Sequence, residues 1–346
     1  MNIMQTIPKG FEFLKSRADS GGGTLKRSAK HCAIGLDMED NVLKMVQVES
    51  SDKGISLVAG GHESLPAYVK PDTVEWQKWA IEAIKGIMSK AKFRGKDVVA
   101  AMPAGEMFIE HVKLPAGGNT EGENTADDTA EQLPESVLAK IKQKMPFEIS
   151  DAIIKCMPTE QDNGIVVAVE REKINRHLAI FEKAGVHIRS MGIWPVALKK
   201  IYTSLFGRRK DDRSVVIQLV DVKADCTNVA ICRHENLLFA HSLAIGANQL
   251  ELGKDETTTK LAGELSGCCR QLAAMQRDCQ VERLIFLSGP TVDRRIYTSV
   301  AKQLEIPSQM GDILKALQWS LPWDQVGIDR RACKVNWAAA CGLSLS

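Results

Sequence analysis

Two aspartates each lie at the end of an apolar stretch, where a carboxylate can bind a metal ion. Asp37 follows the apolar residues of AIGLDMEDNVLKMVQV, and Asp221 follows those of SVVIQLVDVKADCT. Carboxylates at strand ends can hold Mg²⁺ through direct or water-mediated oxygen contacts, as they would beside a nucleotide. An Asp at a strand end is also a common turn residue. The two positions therefore raise the question of a nucleotide site without answering it.

The residues that follow Asp37 do not suit a phosphate. Glu39 and Asp40 stand where glycine and small hydroxyl residues would let backbone N–H groups face an anion. Each carboxylate near a triphosphate would repel it by about 4 kcal/mol per pair of unit charges, at roughly 4 Å and an effective dielectric constant of about 20. The sequence therefore predicts that this loop is the remnant of an anion-binding loop.

Length and charge exclude several classes of function. The 346 residues exceed a comfortable single core and suggest two domains. Lys and Arg number 45 against 43 Asp and Glu, so the net charge of +2 gives no overall attraction to nucleic acid or anionic lipid. The longest apolar runs fall well short of the roughly 20 residues that span a bilayer. With no secretion signal at the N-terminus, we expect a cytoplasmic protein that does not bind nucleic acid.

Two stretches have the residue pattern of an antiparallel β-meander, and they place the two aspartates at equivalent strand ends. The first meander covers residues 31–64 and precedes a helix pattern at 71–93, which an Asp or Thr could cap. The second covers residues 214–246 and precedes a long helical region. The repetition implies two related halves that face a cleft.

The segment between the meanders contains further elements. Strand patterns occur at 97–103 and in AIIKCMP and GIVVAVE, and a helix pattern ends at Ala184 and Gly185. The tract at 116–135 is acidic and polar, so we expect an exposed mobile loop there. The charged run at 207–213 is a candidate hinge.

Five stretches together are similar, in their order and spacing, to the type IV pilus assembly protein PilM family. This family is a relative of the division protein FtsA within the actin, sugar-kinase and heat-shock-chaperone class of ATPases. The stretches are IGLDMEDNVLKMVQV, KMPFEISDAII, EKAGVHIRSMGIWPVALKKIY, LAIGANQL and WAAACGLSLS. The resemblance covers roughly residues 31–346.

The resemblance implies an α/β, two-lobed actin-like fold, which is also ribonuclease H-like, with a small inserted subdomain of the FtsA and PilM type. The domains expected from it are a flexible N-terminal arm at 1–30, a first actin-like domain at 31–206 with the inserted subdomain at about 96–170, and a second domain at 207–346. The C-terminal helix at 335–346 is expected to pack back on the first domain.

The resemblance also implies which residues surround the nucleotide in this fold. The corresponding positions here are Asp37, Glu39, Asn41 and Lys44 in the first loop, Asp221, Lys223, Asp225 and Thr227 in the second, and Gly246, Glu264, Ser288 and Gly289 beyond them. Asp37 and Asp221 would hold the metal only if Mg-ATP binds. Glu264 would face ribose, although a solvated helix carboxylate explains it as well.

Three of these loops depart from the family pattern. Glu39 stands in place of the first-loop glycine, Lys223 stands in place of the first glycine of the second loop, and Pro290 replaces the second residue of a glycine pair. Proline removes an N–H group and fixes the backbone. These departures predict weak or absent ATPase activity and no bound cofactor, although Lys223 could instead reach a phosphate as a point charge in a rewired site.

The partners implied by the resemblance belong to a pilus or related secretion machine. In the PilM family, a groove between the first domain and the inserted subdomain receives the cytoplasmic N-terminal tail of an inner-membrane PilN protein. The chain would thus be a scaffold at the inner face of the cytoplasmic membrane. Other platform or motor proteins and self-association stay open.

Two alternatives belong to the enzyme class. One is an active actin-like ATPase of the same machinery, which would still bind Mg-ATP through Asp37 and Asp221. The other is a sugar or acetate kinase, which needs an acceptor pocket and a catalytic base that no distinct group of residues supplies.

Overall fold

A computed structural model describes residues 30–39, 41–115, 133–287, 292–319, 322–328 and 335–346. The expected N-terminal arm therefore lies outside the described residues up to residue 29, as do positions 116–132 of the acidic tract. No helix in the described part of the chain has the length and hydropathy needed to cross a membrane.

The first sheet is built on the predicted meander. Its strand order is β14-β3-β2-β1-β4-β8. Within it, β1, β2 and β3 form the antiparallel meander. The strands are β1 (Lys30–Met38), β2 (Val42–Ser51), β3 (Gly54–Ser64), β4 (Asp97–Ala101), β8 (His187–Gly192) and β14 (Gln318–Trp319). β4 runs parallel to both β1 and β8. This sheet and the helices α1 (Val74–Lys90) and α3 (Arg171–Ala184) on it form what we call the first half.

The second sheet repeats the same plan, which confirms the second predicted meander. Its order is β11-β10-β9-β12-β13, and β9, β10 and β11 are antiparallel. The strands are β9 (Val216–Val222), β10 (Thr227–Arg233), β11 (Asn236–Leu243), β12 (Arg283–Phe286) and β13 (Ser308–Met310). With helices α5 and α6, this sheet forms what we call the second half.

A third, small sheet has the order β5-β7-β6 and is packed by α2. Its strands are β5 (Met107–Lys113), β6 (Ala152–Pro158) and β7 (Asn163–Glu170). The expected inserted segment began near residue 96, but β4 at Asp97–Ala101 is an inner strand of the first sheet. The inserted sheet therefore begins only at Met107, because the preceding strand, β4, pairs in parallel with β1 of the first sheet.

Local signals set the helix ends as the sequence indicated. The Thr73 side chain accepts a hydrogen bond from the Trp76 N–H and caps α1, and Gly185 ends α3 at a positive φ of 74°. The helices are α1 (Val74–Lys90), α2 (Glu135–Lys144), α3 (Arg171–Ala184), α4 (Trp194–Leu205), α5 (Ala247–Met275), α6 (Arg294–Leu304), α7 (Ile313–Ala316), α8 (Trp323–Val326) and α9 (Ala338–Ser344).

Helices α4 and α9 lie between the two main sheets and join them. α9 contacts β1, β2, β4 and α4, and α4 contacts β9, β10 and β11. The approach is close, since a Cβ on Gly35 of β1 would lie 1.9 Å from the Ala340 carbonyl oxygen. The Ser344 hydroxyl donates to the Ala33 carbonyl at 2.6 Å and accepts from the Val48 N–H at 3.1 Å. The C-terminal helix is thus fastened to the first sheet.

Candidate functional site

The loops after β1 and β9 face each other across a small cavity. Of the predicted nucleotide-site residues, Asp37, Glu39, Asn41, Lys223 and Asp225 line it. Trp194 and the segment 102–105 complete its wall. The cavity measures about 50 Å³, whereas ligand pockets in proteins are typically roughly 300–1,000 Å³.

Two lysines bind the carboxylates at this site. Lys44 lies opposite Asp37 in the β1–β2 register, and its Nζ is 2.7 Å from Asp37 Oδ2. Lys44 also pairs with Glu39. Lys223 comes from the loop after β9, and its Nζ lies 2.8 Å from Glu39 Oε1 and 3.3 Å from Asp37 Oδ2. We call these four residues the charge cluster.

Burial makes the pairing in the charge cluster strong. Burial alone would raise the pKa of Asp37, but the ammonium groups of Lys223 and Lys44 outweigh it and hold this pKa well below its usual value. Burial alone would lower the pKa of each lysine, but Asp37 and Glu39 raise the pKa of both. All three groups are therefore charged at neutral pH, and each is matched by an opposite charge.

This pairing corrects the electrostatic argument made from the sequence. The repulsion expected from Glu39 assumed a carboxylate without a partner, but Glu39 contacts the ammonium groups of both Lys44 and Lys223. Its negative charge is therefore largely compensated inside the protein. In this arrangement the cations and anions of the site bind each other, and the cavity beside them is small.

Asp221 is fully buried at the end of β9 and has a different environment. Burial raises its pKa to about 6, from an ordinary value of 3.8, with the Lys223 charge opposing the rise. Its Oδ1 accepts a hydrogen bond from the Asn336 side chain, and its Oδ2 has no hydrogen-bond partner among the described residues. Asp221 is thus close to half protonated near pH 6.

The N-terminal residues of α5 pack against the loop after β9 and donate hydrogen bonds to it. The Ala247 N–H donates to the Lys223 carbonyl at 2.8 Å, and the Asn248 N–H donates to the Ala224 carbonyl at 3.0 Å. A Cβ on Gly246 would lie 2.3 Å from that Ala224 oxygen, so glycine allows this contact. Helix-start N–H groups that could face an anion are thus bound to the loop itself.

Asp225, at the cavity wall, and the other predicted residues have structural contacts or lie elsewhere. Asp225 is exposed and accepts from the Asn248 side chain at 2.8 Å, while the buried Thr227 hydroxyl donates to the Ile245 carbonyl at 2.6 Å. Glu264 is exposed on α5 and does not line the cavity. Ser288 and Gly289, with Pro290, lie outside the described residues.

The sequence reasoning did not identify Asn336. Besides its bond to Asp221, its Oδ1 accepts from the Ala338 N–H at 3.0 Å and so helps to start α9. A single Asn before an apolar helix was the available signal, since Asn is a common helix-capping residue. Within the described ranges, no group of three or more His, Cys, Asp or Glu side chains has a metal-binding arrangement.

A family model decides the relationship of the chain to known proteins. The model described as "Type IV pilus assembly protein PilM" matches residues 35–253, which is well over half of the chain. The chain belongs to the PilM family. No curated protein matches the sequence significantly.

Solved structures with a similar fold include a PilM protein. One, described as "PilM-PilN type IV pilus biogenesis complex", has a TM-score of 0.69 at 17% identity, over 90% of this chain and 97% of that one. This likeness confirms the predicted two-lobed, actin-like α/β fold. The ethanolamine utilization protein EutJ from Carboxydothermus hydrogenoformans has a TM-score of 0.48 at 11% identity, with 93% and 91% of the two chains covered.

In this PilM-family chain, the inserted sheet also contacts the second half. The turn between β6 and β7 carries Glu160, which pairs with Arg233 and accepts from the Asn236 side chain at 2.9 Å. On β5, the His111 ring stacks on Phe239 at 4.3 Å, and its Nε2 accepts from the Ala240 N–H at 3.2 Å. β5 is thereby covered by β11, whereas β6 pairs only with β7 in the described part of the chain.

Proposed function

We propose that this PilM-family chain is a scaffold of type IV pilus or related secretion assembly that binds the cytoplasmic tail of a PilN-like inner-membrane protein and does not turn over ATP. The observation that carries the proposal is the common fold over 90% of the chain with a PilM protein solved in a PilM–PilN complex. Such a partner would recruit the chain to the inner face of the cytoplasmic membrane.

The arrangement of the residues at the cleft supports the proposal that the chain does not turn over ATP. Asp37 and Glu39 are each bound to lysine ammonium groups, and the cavity beside them is about 50 Å³. Mg-ATP would have to displace Lys44 and Lys223 from these buried carboxylates and find space for three phosphate groups. The residues in this arrangement do not fit Mg-ATP, so the function we propose lies in the surfaces of the fold.

We place the extended tail in the groove between the first half and the inserted sheet, which the resemblance to the PilM family implies. An extended peptide can bind such a groove through its backbone and through apolar side chains that enter pockets. Within the described residues, the edge strands of the inserted sheet are β5 and β6, and β5 faces β11 of the second half. The tail would therefore lie on the β6 side of the sheet.

A deletion variant tests this site. It lacks residues 107–170, which removes β5, β6 and β7 and keeps β4 in the first sheet. The variant should lose at least tenfold in affinity for a fluorescent synthetic PilN-like tail. A cooperative thermal unfolding transition checks that the rest of the chain is folded.

The possible results test the proposed partner and the proposed binding site independently. A tail that does not bind the wild-type chain any better than a peptide of scrambled sequence would reject the partner. Specific binding that survives in the variant without residues 107–170 would keep the partner and reject this site. A deletion that starts at residue 96 is a poor substitute, because β4 belongs to the first sheet.

A further inference from the structure

Lys223 is part of the second half, yet its ammonium group contacts carboxylates of the first half. It follows β9 directly, and its Nζ lies 2.8 Å from Glu39, which follows β1, and 3.3 Å from Asp37 at the end of β1. The side chain is 9% exposed, and the two carboxylate side chains are 13% and 5% exposed. The contact therefore crosses the cleft and is shielded from water.

The loop that carries Lys223 is fixed to its own half. The Lys223 N–H donates to the Cys226 carbonyl at 2.8 Å, and its carbonyl accepts from the Ala247 N–H at the start of α5, also at 2.8 Å. A Cβ on Gly246 would lie 2.3 Å from the Ala224 oxygen, which leaves the loop little freedom to move against α5. A displacement of the Lys223 ammonium group would therefore also move the start of α5.

The two halves are already joined at the base of the cleft, because one apolar core runs from the first sheet through α4 and α9 into the second sheet. The mouth of the cleft is held differently, by charges. Lys44 also binds Asp37 and Glu39, but it lies on β2 of the same sheet, so these two ion pairs lie within the first half. Lys223 provides the link between the two strand-end loops.

We propose that Lys223 is a tethered cation that clamps the loop after β1 to the loop after β9 and so holds the mouth of the cleft closed. A bound cation could bridge carboxylates from two halves in the same way, but it could leave; an ammonium group attached to the chain cannot. The proposal goes beyond the function proposed above, because the clamp would exist whether or not a PilN-like tail binds.

Hydrogen–deuterium exchange on the full-length chain tests the clamp. In Lys223→Met, amide exchange should become at least tenfold faster on both sides of the cleft, at 41–44 and at the start of α5. Lys44→Met is the matched control, since it removes one ammonium group from the same two carboxylates within the first half. It should speed exchange at 41–44 and leave the start of α5 unchanged. Lys223→Arg keeps the charge and should keep the protection on both sides.

Two results would overturn the clamp. One is faster exchange in Lys223→Met that stays within the second half and leaves 41–44 at the wild-type rate. The other is an identical two-sided pattern in Lys44→Met, which would mean that general loss of charge pairing, and not the link, protects the cleft. Should Lys223→Met fail to fold, Glu39→Gln removes one arm of the contact and should still speed exchange at the start of α5; an unchanged rate there would reject the clamp.

Discussion

At the scale of single residues, buried charges dominate the cleft. A buried ion pair contributes little to stability compared with apolar packing, but removal of one partner leaves an unpaired buried charge and costs about 3–5 kcal/mol. In the charge cluster, Asp37, Glu39, Lys44 and Lys223 satisfy one another. Asp221 lies beside them and has no direct ion pair with any described residue, so its ionised form is the costly one.

The raised pKa of Asp221 makes a prediction about pH. An aspartate with a folded-state pKa of about 6 and an ordinary value of 3.8 binds more protons when folded, so the wild-type protein loses stability as pH rises from about 4 to 6. Asp221→Asn removes this loss. Its stability relative to wild type should be about 2 kcal/mol more favourable at pH 8 than at pH 4.5.

Urea unfolding at the two pH values measures this difference. Asp225→Asn is the control, because it changes an exposed carboxylate of the same loop. If Asp221→Asn changes stability by the same amount at both pH values, the carboxyl group is not held partly protonated by its burial.

At the scale of elements, close backbone contact determines where α9 lies. The helix fits between β1 and α4 because Gly35 and Gly342 have no side chain at the contacts. A Cβ on Gly342 would lie 2.0 Å from the Ala197 carbonyl oxygen, which belongs to the backbone of α4 and cannot rotate away. The small residues of the C-terminal helix thus explain how two sheets can share one thin layer of helices.

A glycine pair tests this packing. Gly342→Ala should lower the free energy of unfolding by about 3 kcal/mol or more, because overpacking here moves backbone and not only side chains. Gly86→Ala in α1 is the control, since a Cβ there meets nothing within 4 Å and alanine favours a helix by roughly 0.5–1 kcal/mol. Denaturant unfolding of the two variants should give changes of opposite sign. Equal stability of Gly342→Ala and wild type would contradict the close contact.

The contact between β5 and β11 predicts a second pH effect. Burial lowers the pKa of His111 to about 4, with the charges of His241 and Lys144 acting in the same direction. The neutral ring accepts the Ala240 N–H, and protonation would remove this acceptor. Since the unfolded chain binds the proton more readily, stability is lost as pH falls from about 6.5 towards 4.

His111→Gln isolates this effect, because glutamine keeps an acceptor and does not titrate. Between pH 7.5 and pH 5, wild type should lose about 2 kcal/mol more stability than His111→Gln. Chemical unfolding at both pH values provides the measurement. Parallel loss in the two proteins would show that His111 does not limit the docking of the inserted sheet.

At the scale of the whole molecule, two related halves share one core and differ in how their loops meet. The sequence was sufficient to predict both meanders, a capped start of α1 at an Asp or Thr and the end of α3 at Gly185, because each depends on residues close together in the chain. It did not predict the pairing of Lys223 with Asp37, since the two residues are 186 positions apart and no local pattern records their contact.

Other features escaped prediction for similar physical reasons. β13 and β14 have three and two residues, too few to show a period. The sequence analysis places β4 in the inserted segment, because a strand pattern does not show with which other strand it will pair. Asn336 acts on Asp221 from 115 positions away. Sequence thus predicted the elements and the family, whereas the contacts across the cleft required the structure.

Calorimetric titration of the full-length chain with Mg-ATP tests most directly the claim that the charge cluster closes this site to nucleotide. We expect no saturable heat at millimolar nucleotide for wild type, with the PilN-like tail as a positive control for a competent protein. One-to-one binding with a micromolar Kd, abolished by Asp37→Ala, would contradict it.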